Sequence, residues 1–263
     1  MTSSPWTDEQ LKLAFHLYCQ LPFGKLHHRN QEIINLAGLI GRTPSAVAMK
    51  LCNFASLDPA VTKTGRSGLG NASTKDRKVW ADFHADWEGL ALEVQHLRVA
   101  LGDDRAVVQG IDSAADDFEG VSDFSGETRR VFSEQRIKQS FFRRAVLSGY
   151  RERCCISGLA DPRLLVASHI VPWSRDKANR LNPSNGLCLS AIHDRAFDKG
   201  LLTLTDDYRV ILAKELRERK EAFVEQIFIP LEGQRIELPE RFWPDQAFIS
   251  QHRSLVFLDR WSA

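Results

Sequence analysis

Two histidines and one asparagine lie in a part of the chain where side chains of these types can do proton-transfer and metal chemistry. His169 closes the apolar stretch LLVASH, Asn185 follows in NPSNGL, and His193 lies early in AIHDRAFDKG. A neutral imidazole can take a proton from water near neutral pH or bind a divalent metal ion. An amide both donates and accepts hydrogen bonds. These three residues are therefore candidates for a site that activates a water molecule.

A strand–strand–helix pattern surrounds these candidates. LLVASHIVPW and GLCLS predict two β-strands, AIHDRAFDKG predicts a helix, and LLTLT with RVILA predicts a hairpin. Pro172 ends the first strand, so His169 is expected at its edge. A closing helix is predicted over 245–261. Upstream, residues 129–153 predict a basic amphipathic helix, in which Arg143 and Arg144 are candidates for contact with phosphate.

The N-terminal residues 1–84 predict an all-helical region. Thr7 and Gln10 have the spacing of a capping box, which predicts a helix after Thr7. EIINLAGLI and PSAVAMKLCNF predict two further short helices that are joined by a GRT turn. Thr43 is expected to cap the second of these helices, with Pro44 in its first position.

The spacing of this second helix pair is typical of a DNA-binding helix-turn-helix. Ala37 lies where the two helices would touch, Gly41 lies at the turn, and Val47 would pack the second helix on the first. A plain αα-hairpin that serves packing alone fits the spacing equally well. In the DNA-binding interpretation, the second helix presents to a groove the side chains of Ser45, Met49, Lys50 and Asn53.

The charge divides the chain into three segments. Residues 1–84 and 129–263 carry more basic than acidic side chains, whereas residues 85–128 are strongly acidic, and the sum is only +1. We predict three parts: a helical domain over 1–84, a helix and acidic linker over 85–128, and a third domain over 129–263. Within them, 60–78 is expected to be a basic loop and 79–98 a helix.

The overall composition is that of a globular protein: 263 residues, 43% hydrophobic and 26% charged. No apolar run approaches the ~20 residues that span a bilayer, and the first residues lack the features of a secretory signal. The five cysteines, an odd number, are interpreted as reduced thiols. We therefore expect a cytoplasmic protein that does not bind membranes.

Four short sequence motifs, in this order along the chain, resemble those of the HNH endonucleases, and specifically of a branch that includes restriction endonucleases. The motifs are CCISG, SHIVPW, NPSNGL and HDRAFDKGL, and the resemblance covers residues 129–258. LPFGKLHHRN and GRTPSAVAMKLCNFASLDP also look like segments that accompany such nuclease domains. The resemblance implies an α+β protein, with a C-terminal ββα-metal nuclease domain and an N-terminal all-α, helix-turn-helix-like domain. It also implies cleavage of DNA, in restriction or another form of defence.

The resemblance implies a role for each site residue. His169 would be the general base, Asn185 would orient that histidine or its loop, and His193 would bind the metal. One divalent ion per chain is expected; Mg²⁺ is favoured by availability, and Mn²⁺, Ni²⁺ or Zn²⁺ would be tolerated.

Ser168 departs from the pattern of many HNH nucleases, which place Asp or His before the general base as a second metal ligand. A neutral serine is a poor ligand, so oxygen must come from water, the substrate phosphate or a carboxylate. The nearest carboxylates are Asp194 and Asp198, which share a helix face. On an ideal helix Asp198 lies about 140° from His193, so convergence of the two would require distortion. Capping or loop-tying roles for both aspartates remain open.

Two further features are interpreted with alternatives. Arg180 precedes NPSN and would hold a phosphate of DNA or form a surface salt bridge. Cys154, Cys155 and Cys188 do not form a CxxC pair, so a structural Cys₄ zinc is not expected.

Three functions stay open on sequence grounds. The first is an active endonuclease, for which cutting both strands with one metal per chain calls for two active sites and suggests a homodimer. The second is a DNA-binding regulator with an inactive HNH domain, suggested by Ser168. The third is an effector nuclease activated by a partner or signal, in which the acidic segment 102–128 covers the basic helix 129–153.

Overall fold

The computed structural model describes residues 4–65, 68–103 and 126–259, with side chains in the last range from residue 134 onward. The chain divides into two compact units, Met1–Ala145 and Val146–Ala263, and each is described by itself. The expected autoinhibitory linker lies mostly outside the described residues. None of the helices in these ranges is both long and apolar enough to span a bilayer.

The first unit is helical, as the sequence predicts. A short 3-10 turn at Phe23–Lys25 follows the first helix. The seventh helix begins in this unit and ends in the second. The helices are α1 Asp8–Gln20, α2 Gln31–Leu39, α3 Pro44–Ala55, α4 Pro59–Thr62, α5 Thr74–Ala85, α6 Trp87–Ala100 and α7 Gly126–Gly149.

Helix α1 lies at the centre of this unit. Its first turn has the predicted capping box, in which Thr7 accepts from the Gln10 amide and the Gln10 side chain accepts in return. The fully buried Phe15 contacts the rings of Phe54 and Phe83 at centroid distances of 5.0 and 4.7 Å. These contacts join α1 to α3 and α5, so the aromatic side chains build one core.

The turn between α2 and α3 has the predicted geometry. Gly41 adopts a φ of +65°, and the Arg42 amide donates to the carbonyl of Ala37 at 2.8 Å. Ala37 and Val47 are buried where the helices meet, and Thr43 caps α3 by accepting from the Ala46 amide. The two helices and their turn are thus confirmed.

The segment 60–98 differs from the prediction of a loop followed by one helix. Helix α5 begins earlier, because Ser73 and Asp76 form a capping box at its N-terminus. Asp86 then leaves the helical region, with φ −149° and ψ 81°, and its carboxylate accepts from the Gly89 amide to start α6. The break follows from capping by Asp86, which the apolar periodicity alone does not reveal.

Lys50 is not presented to solvent beside Ser45 and Met49, contrary to the groove-facing position expected for it. Its ammonium contacts both carboxylate oxygens of Asp76, at 2.8 and 3.0 Å. The two side chains are 10% and 0% exposed. Ser45 is exposed and Met49 is 58% exposed. Lys50 therefore ties α3 to the start of α5, and its charge is already paired.

Replacing Lys50 by Met is expected to lower the free energy of unfolding by about 3 to 5 kcal/mol, because Asp76 would keep a buried charge without its cation. Denaturant unfolding of both proteins measures the difference. Lys78→Met is the control: it breaks the exposed pair with Asp82 and should cost far less. Equal losses in the two variants would contradict a structural role for Lys50.

The second unit is an antiparallel strand pair covered by a helix, followed by a hairpin and short helices. Strands β1 Leu165–His169 and β2 Gly186–Ser190 pair with His169 opposite Gly186. Helix α8 Ala191–Asp198 follows β2 directly and packs on both strands. The remaining strands and α-helices are β3 Leu202–Leu204, β4 Val210–Leu212, α9 Lys214–Arg217, α10 Ala222–Ile227 and α11 Gln246–Leu255.

This strand–strand–helix unit and the β3–β4 hairpin confirm the predicted α+β architecture. Three boundaries are corrected. The closing helix that was predicted over 245–261 ends at Leu255, and the chain turns at Val256. β1 ends at His169 instead of continuing to Trp173, because the chain turns into a long loop at residue 170. α7 ends at Gly149, and Arg151 and Glu152 then take positive φ angles of 54° and 53°. These angles end the predicted helix four residues early.

Contacts with residues of α11 and the segment after it hold helix α8 in place. The His252 ring stacks on Phe197 with centroids 3.7 Å apart. Its Nε2 donates to the Phe197 carbonyl at 3.1 Å, and its Nδ1 accepts from the Thr203 hydroxyl at 2.8 Å. At the end of α8, Gly200 has a φ of +69°, and a Cβ there would lie 2.1 Å from the Val256 carbonyl oxygen. Burial lowers the pKa of His252 to about 4, against a smaller raising effect of the hydrogen bond to the Phe197 carbonyl.

Stability is expected to fall as the pH is lowered from 7 to 5. The unfolded chain protonates His252 near pH 6.5, whereas the folded chain resists protonation down to about pH 4. Proton uptake by the unfolded state then lowers the free energy of unfolding by about 2 kcal/mol at pH 5. His252→Gln should lose less over the same interval, as measured by denaturant unfolding at both pH values. Identical losses in the two proteins would show that His252 does not carry this dependence.

Candidate active site

His169 lies at the end of β1 with its ring held by the following loop. Its Nε2 is 2.9 Å from the Arg180 carbonyl oxygen, and Trp173 contacts the ring edge-on at a centroid distance of 5.3 Å. A carbonyl only accepts, so Nε2 carries the hydrogen and Nδ1 is the basic nitrogen. Burial lowers the pKa of His169, the hydrogen bond to the Arg180 carbonyl raises it by less, and the Arg180 charge adds a still smaller lowering effect. The ring is therefore neutral at neutral pH and can accept a proton.

Arg180 places a cation close to His169. Its guanidinium carbon lies 5.1 Å from the centroid of the Trp173 ring, and its Nε donates to the Trp173 carbonyl at 2.7 Å. Neither terminal nitrogen of Arg180 forms a hydrogen bond or ion pair with a residue that the structure describes. The geometry therefore differs from the surface salt bridge that was the alternative for this residue.

Asn185 ties the loop 170–185 at both ends and is completely buried. Its Oδ1 accepts from the Val171 amide at 2.8 Å, and its Nδ2 donates to the carbonyls of Val171 and Asn179, at 3.3 and 3.2 Å. Its own carbonyl accepts from the Ile170 amide. Because the amide group is fully used by the backbone, Asn185 positions the loop and does not itself reach solvent.

Ser168 and the two aspartates of α8 form a second group of side chains at this edge. The buried Ser168 hydroxyl lies beside the Asp194 carboxylate and lowers its pKa, although it forms no hydrogen bond of ordinary geometry with the described residues. Burial nevertheless raises the pKa of Asp194. The pKa of Asp198 is raised by burial and then by the charge of Asp194, one turn away. Two carboxylates that repel each other are suited to share a cation.

His193 points to different neighbours, although it precedes Asp194 in the chain. Its Nδ1 lies 2.9 Å from the Ser190 hydroxyl and 3.5 Å from the Cys154 sulfur. It is 4% exposed, and its Nε2 has no hydrogen-bond partner within the described part of the chain. Burial raises the pKa of Cys154, but hydrogen bonds with His193 and Ser157 lower it to about 6. The structure thus does not group the expected ligand His193 with Asp194 and Asp198.

The remaining candidates belong to the first unit. Arg144 is half-buried; burial lowers its pKa, and the neighbouring charges of Glu32 and Arg98 have opposite effects. Arg143 is also half-buried. Ser45 is exposed on α3. The structure therefore does not arrange Arg143 and Arg144 as a freely exposed basic surface.

No group of three or more His, Cys, Asp or Glu side chains converges as a metal site within the described residues. A cation at the Asp194–Asp198 pair would thus draw the rest of its ligands from water or substrate. Sequence reasoning missed the contacts of Cys154 with Ser157 and His193. The signal was available in the equal spacing of Cys154 to Ser157 and Ser190 to His193.

A comparison with known proteins finds a match in the segment that carries the candidate site. Residues 154–205 match the family model described as HNH endonuclease. The HNH resemblance is confirmed for these residues. No curated protein matches the chain. A solved structure named modification-dependent TagI restriction endonuclease is 23% identical, with a TM-score of 0.33; the match covers 44% of this chain and 37% of that one. The HNH segment contains His169, Arg180, Asn185 and both aspartates of α8, and over this segment the chain is similar to nucleases.

Asn185→Asp is expected to lower the free energy of unfolding by more than about 2 kcal/mol, because a carboxylate cannot donate to the carbonyls of Val171 and Asn179. Denaturant unfolding measures the loss, and amide hydrogen exchange at Val171 reports the loop. Asn182→Asp is the matched control: it loses one part-buried donor bond, to Asn179 Oδ1, but keeps its acceptor contact with the Ser184 amide and should cost less. Wild-type stability of the Asn185 variant would refute the proposed tie.

Proposed function

We propose that this protein is a divalent-cation-dependent HNH endonuclease that hydrolyses phosphodiester bonds in double-stranded DNA, in restriction or defence. The observation that carries the proposal is the arrangement at the end of β1. A neutral His169 is held through its Nε2 beside the Arg180 cation, and the adjacent Ser168 contacts the carboxylate of Asp194. A base, a cation for phosphate and a carboxylate pair are thus provided by neighbouring elements.

His169 is the general base in this proposal. Its Nδ1 takes the proton of the attacking water, and its Nε2 keeps the hydrogen bond to the Arg180 carbonyl. That bond orients the ring and favours the positive charge that the ring gains when it accepts the proton. Asn185 acts one step further away, because it holds the loop that supplies the carbonyl.

Asp194 and Asp198 are the residues that would hold the divalent cation. Their donor set fits a hard cation: two carboxylates one helical turn apart, with the Ser168 hydroxyl beside one of them. When bound, such a cation stabilises the charge that develops on the phosphate and the leaving oxygen. Oxygen ligands favour Mg²⁺ or Mn²⁺ over Zn²⁺. His193 is left out of this set because its side chain does not converge with the two carboxylates as a metal site within the described residues.

Arg180 and the first unit are the proposed contacts with DNA. The Arg180 guanidinium, held over Trp173, would bind a phosphate oxygen through its terminal nitrogens. In the first unit, the exposed Ser45 and Met49 on α3 would approach a groove, whereas Lys50 would not. With one cation per chain, cutting both strands calls for two active sites, which favours a homodimer on DNA.

Cleavage of supercoiled plasmid tests this proposal. Wild-type protein should nick or linearise DNA with Mg²⁺ or Mn²⁺ and not with EDTA. His169→Ala should lower the rate by about 10²- to 10⁴-fold, the usual contribution of a general base. Asp194→Asn and Asp198→Asn should each need more Mg²⁺ for half-maximal cleavage, because each removes a proposed oxygen ligand of the cation.

Matched controls keep the test specific. His28→Ala removes an exposed imidazole from the first unit, and Asp206→Asn removes an exposed carboxylate from the second; both should cleave at the wild-type rate. Equal cleavage by His169→Ala and wild type would overturn the assignment of the base. Folded wild-type protein that binds DNA in a salt-dependent manner but never cleaves it would instead indicate a DNA-binding regulator.

A further inference from the structure

Two short sequence pairs with the same spacing meet at the start of α8. Cys154 and Ser157 are three residues apart in a tight turn, which Gly158 closes with a φ of +72° and an amide bond to the Cys154 carbonyl. Ser190 and His193 have the same separation, at the cap and first turn of α8. The turn and the helix belong to the same compact unit.

Three of these residues, Cys154, Ser190 and His193, are buried and contact one another, and the exposed Ser157 reaches Cys154 through its backbone amide. The Cys154 sulfur lies 3.5 Å from Nδ1 of His193 and accepts from the Ser157 amide at 3.4 Å. The Ser190 hydroxyl lies 2.9 Å from the same Nδ1 and accepts from the His193 amide. The exposed fractions of Cys154, Ser190 and His193 are 1%, 7% and 4%.

The Cys154–Ser157 and Ser190–His193 pairs have the residue spacing of a pair of zinc knuckles. Structural zinc sites take ligands from two pairs, often separated by two residues within each pair. Bonds of about 2.3 Å to sulfur and 2.0 Å to nitrogen at a tetrahedral angle place the two ligand atoms about 3.5 Å apart. The observed separation of Sγ and Nδ1 is 3.5 Å. Two of the four positions, however, hold serine hydroxyls, which are poor ligands for zinc when neutral.

We propose that Cys154, Ser157, Ser190 and His193 form a metal-free knuckle that takes the place of a structural zinc ion and positions the start of α8. Hydrogen bonds among the Cys154 sulfur, the His193 imidazole and the Ser190 hydroxyl join the 154–158 turn to the helix. The Cys155 amide adds a bond to the Cys188 carbonyl of β2. His193 is then a positioning residue, not a ligand of the cation proposed at Asp194; this last point rests on the proposed function.

Cobalt binding tests the knuckle without reference to nuclease activity. Ser157→Cys/Ser190→Cys should take up one Co²⁺ per chain, with the absorption of a tetrahedral thiolate site, and should lose that absorption when Cys154→Ala is added. Ser184→Cys/Ser254→Cys is the matched control: it adds two thiols outside the cluster and should not develop the absorption. Wild-type protein, which keeps all its native cysteines, should not develop it either.

Each outcome of the cobalt experiment decides the matter. A tetrahedral thiolate spectrum in the wild type would overturn the metal-free assignment. Lack of the spectrum in the folded double variant would overturn the knuckle geometry. Ser190 also caps α8, so Ser157→Cys alone serves as a second variant that keeps the cap. This variant should show a weaker spectrum of the same kind. If neither it nor the double variant shows the spectrum, the knuckle is wrong.

A zinc-loaded triple variant, Ser157→Cys/Ser190→Cys/His193→Cys, separates a positioning role of His193 from a direct role of its imidazole in cleavage. If His193 only positions the helix, zinc should restore Mg²⁺-dependent plasmid cleavage to within about tenfold of the wild-type rate. His193→Ala alone should be far less active. If the zinc-loaded triple variant remains inactive while the wild type cleaves, the imidazole itself is needed. Inactive wild type would refute the proposed function and leave the cobalt result unaffected.

Discussion

The hydrogen bonds of the Asn185 amide hold the loop on which the rest of the candidate site depends. The loop 170–185 has no regular secondary structure apart from a single 3-10 turn at its end, so its backbone groups need other partners. Asn185 supplies them for Val171 and Asn179 from a fully buried position. The carbonyl of Arg180, next to Asn179, then meets the His169 ring. One amide thus determines the tautomer of a histidine to which it is not bonded.

Helix α8 is also fixed by several contacts, and the repulsion between its carboxylates explains why these contacts are needed. Asp194 and Asp198 lie close enough for the charge of one to raise the pKa of the other. A carboxylate pair of this kind opposes folding unless the helix is fixed by other contacts. Those contacts lie on the opposite sides of the helix: the His252–Phe197 stack, the close approach of Val256 to Gly200, and the Cys154–His193–Ser190 cluster. The helix is therefore a rigid support for an electrostatically unfavourable face.

The first unit shows how much a spacing motif leaves open. The turn at Gly41 and the packing of Ala37 and Val47 follow the expected spacing, since a helix pair can close tightly only with small residues and a positive φ there. Which side chains of α3 are presented is another question. Lys50 lies on the side of α3 that meets α5, and a carboxylate at the start of α5 pairs with its charge. Only the neighbouring helix decides this, and that helix is remote in sequence.

The sequence by itself determined the order of the elements and the identity of the base candidate. Local rules were sufficient for the strand pair, the helix after it and the cap at Thr7, because propensity, periodicity and capping act over a few residues. The same rules missed the break at Asp86 and the early end of α7 at Gly149, where single backbone angles decide. Tertiary structure decided which of two adjacent residues, His193 or Asp194, points toward Ser168 and which toward Cys154. Consecutive helix residues differ by about 100° in direction, so the strand and turn packed on each side select the role of each residue.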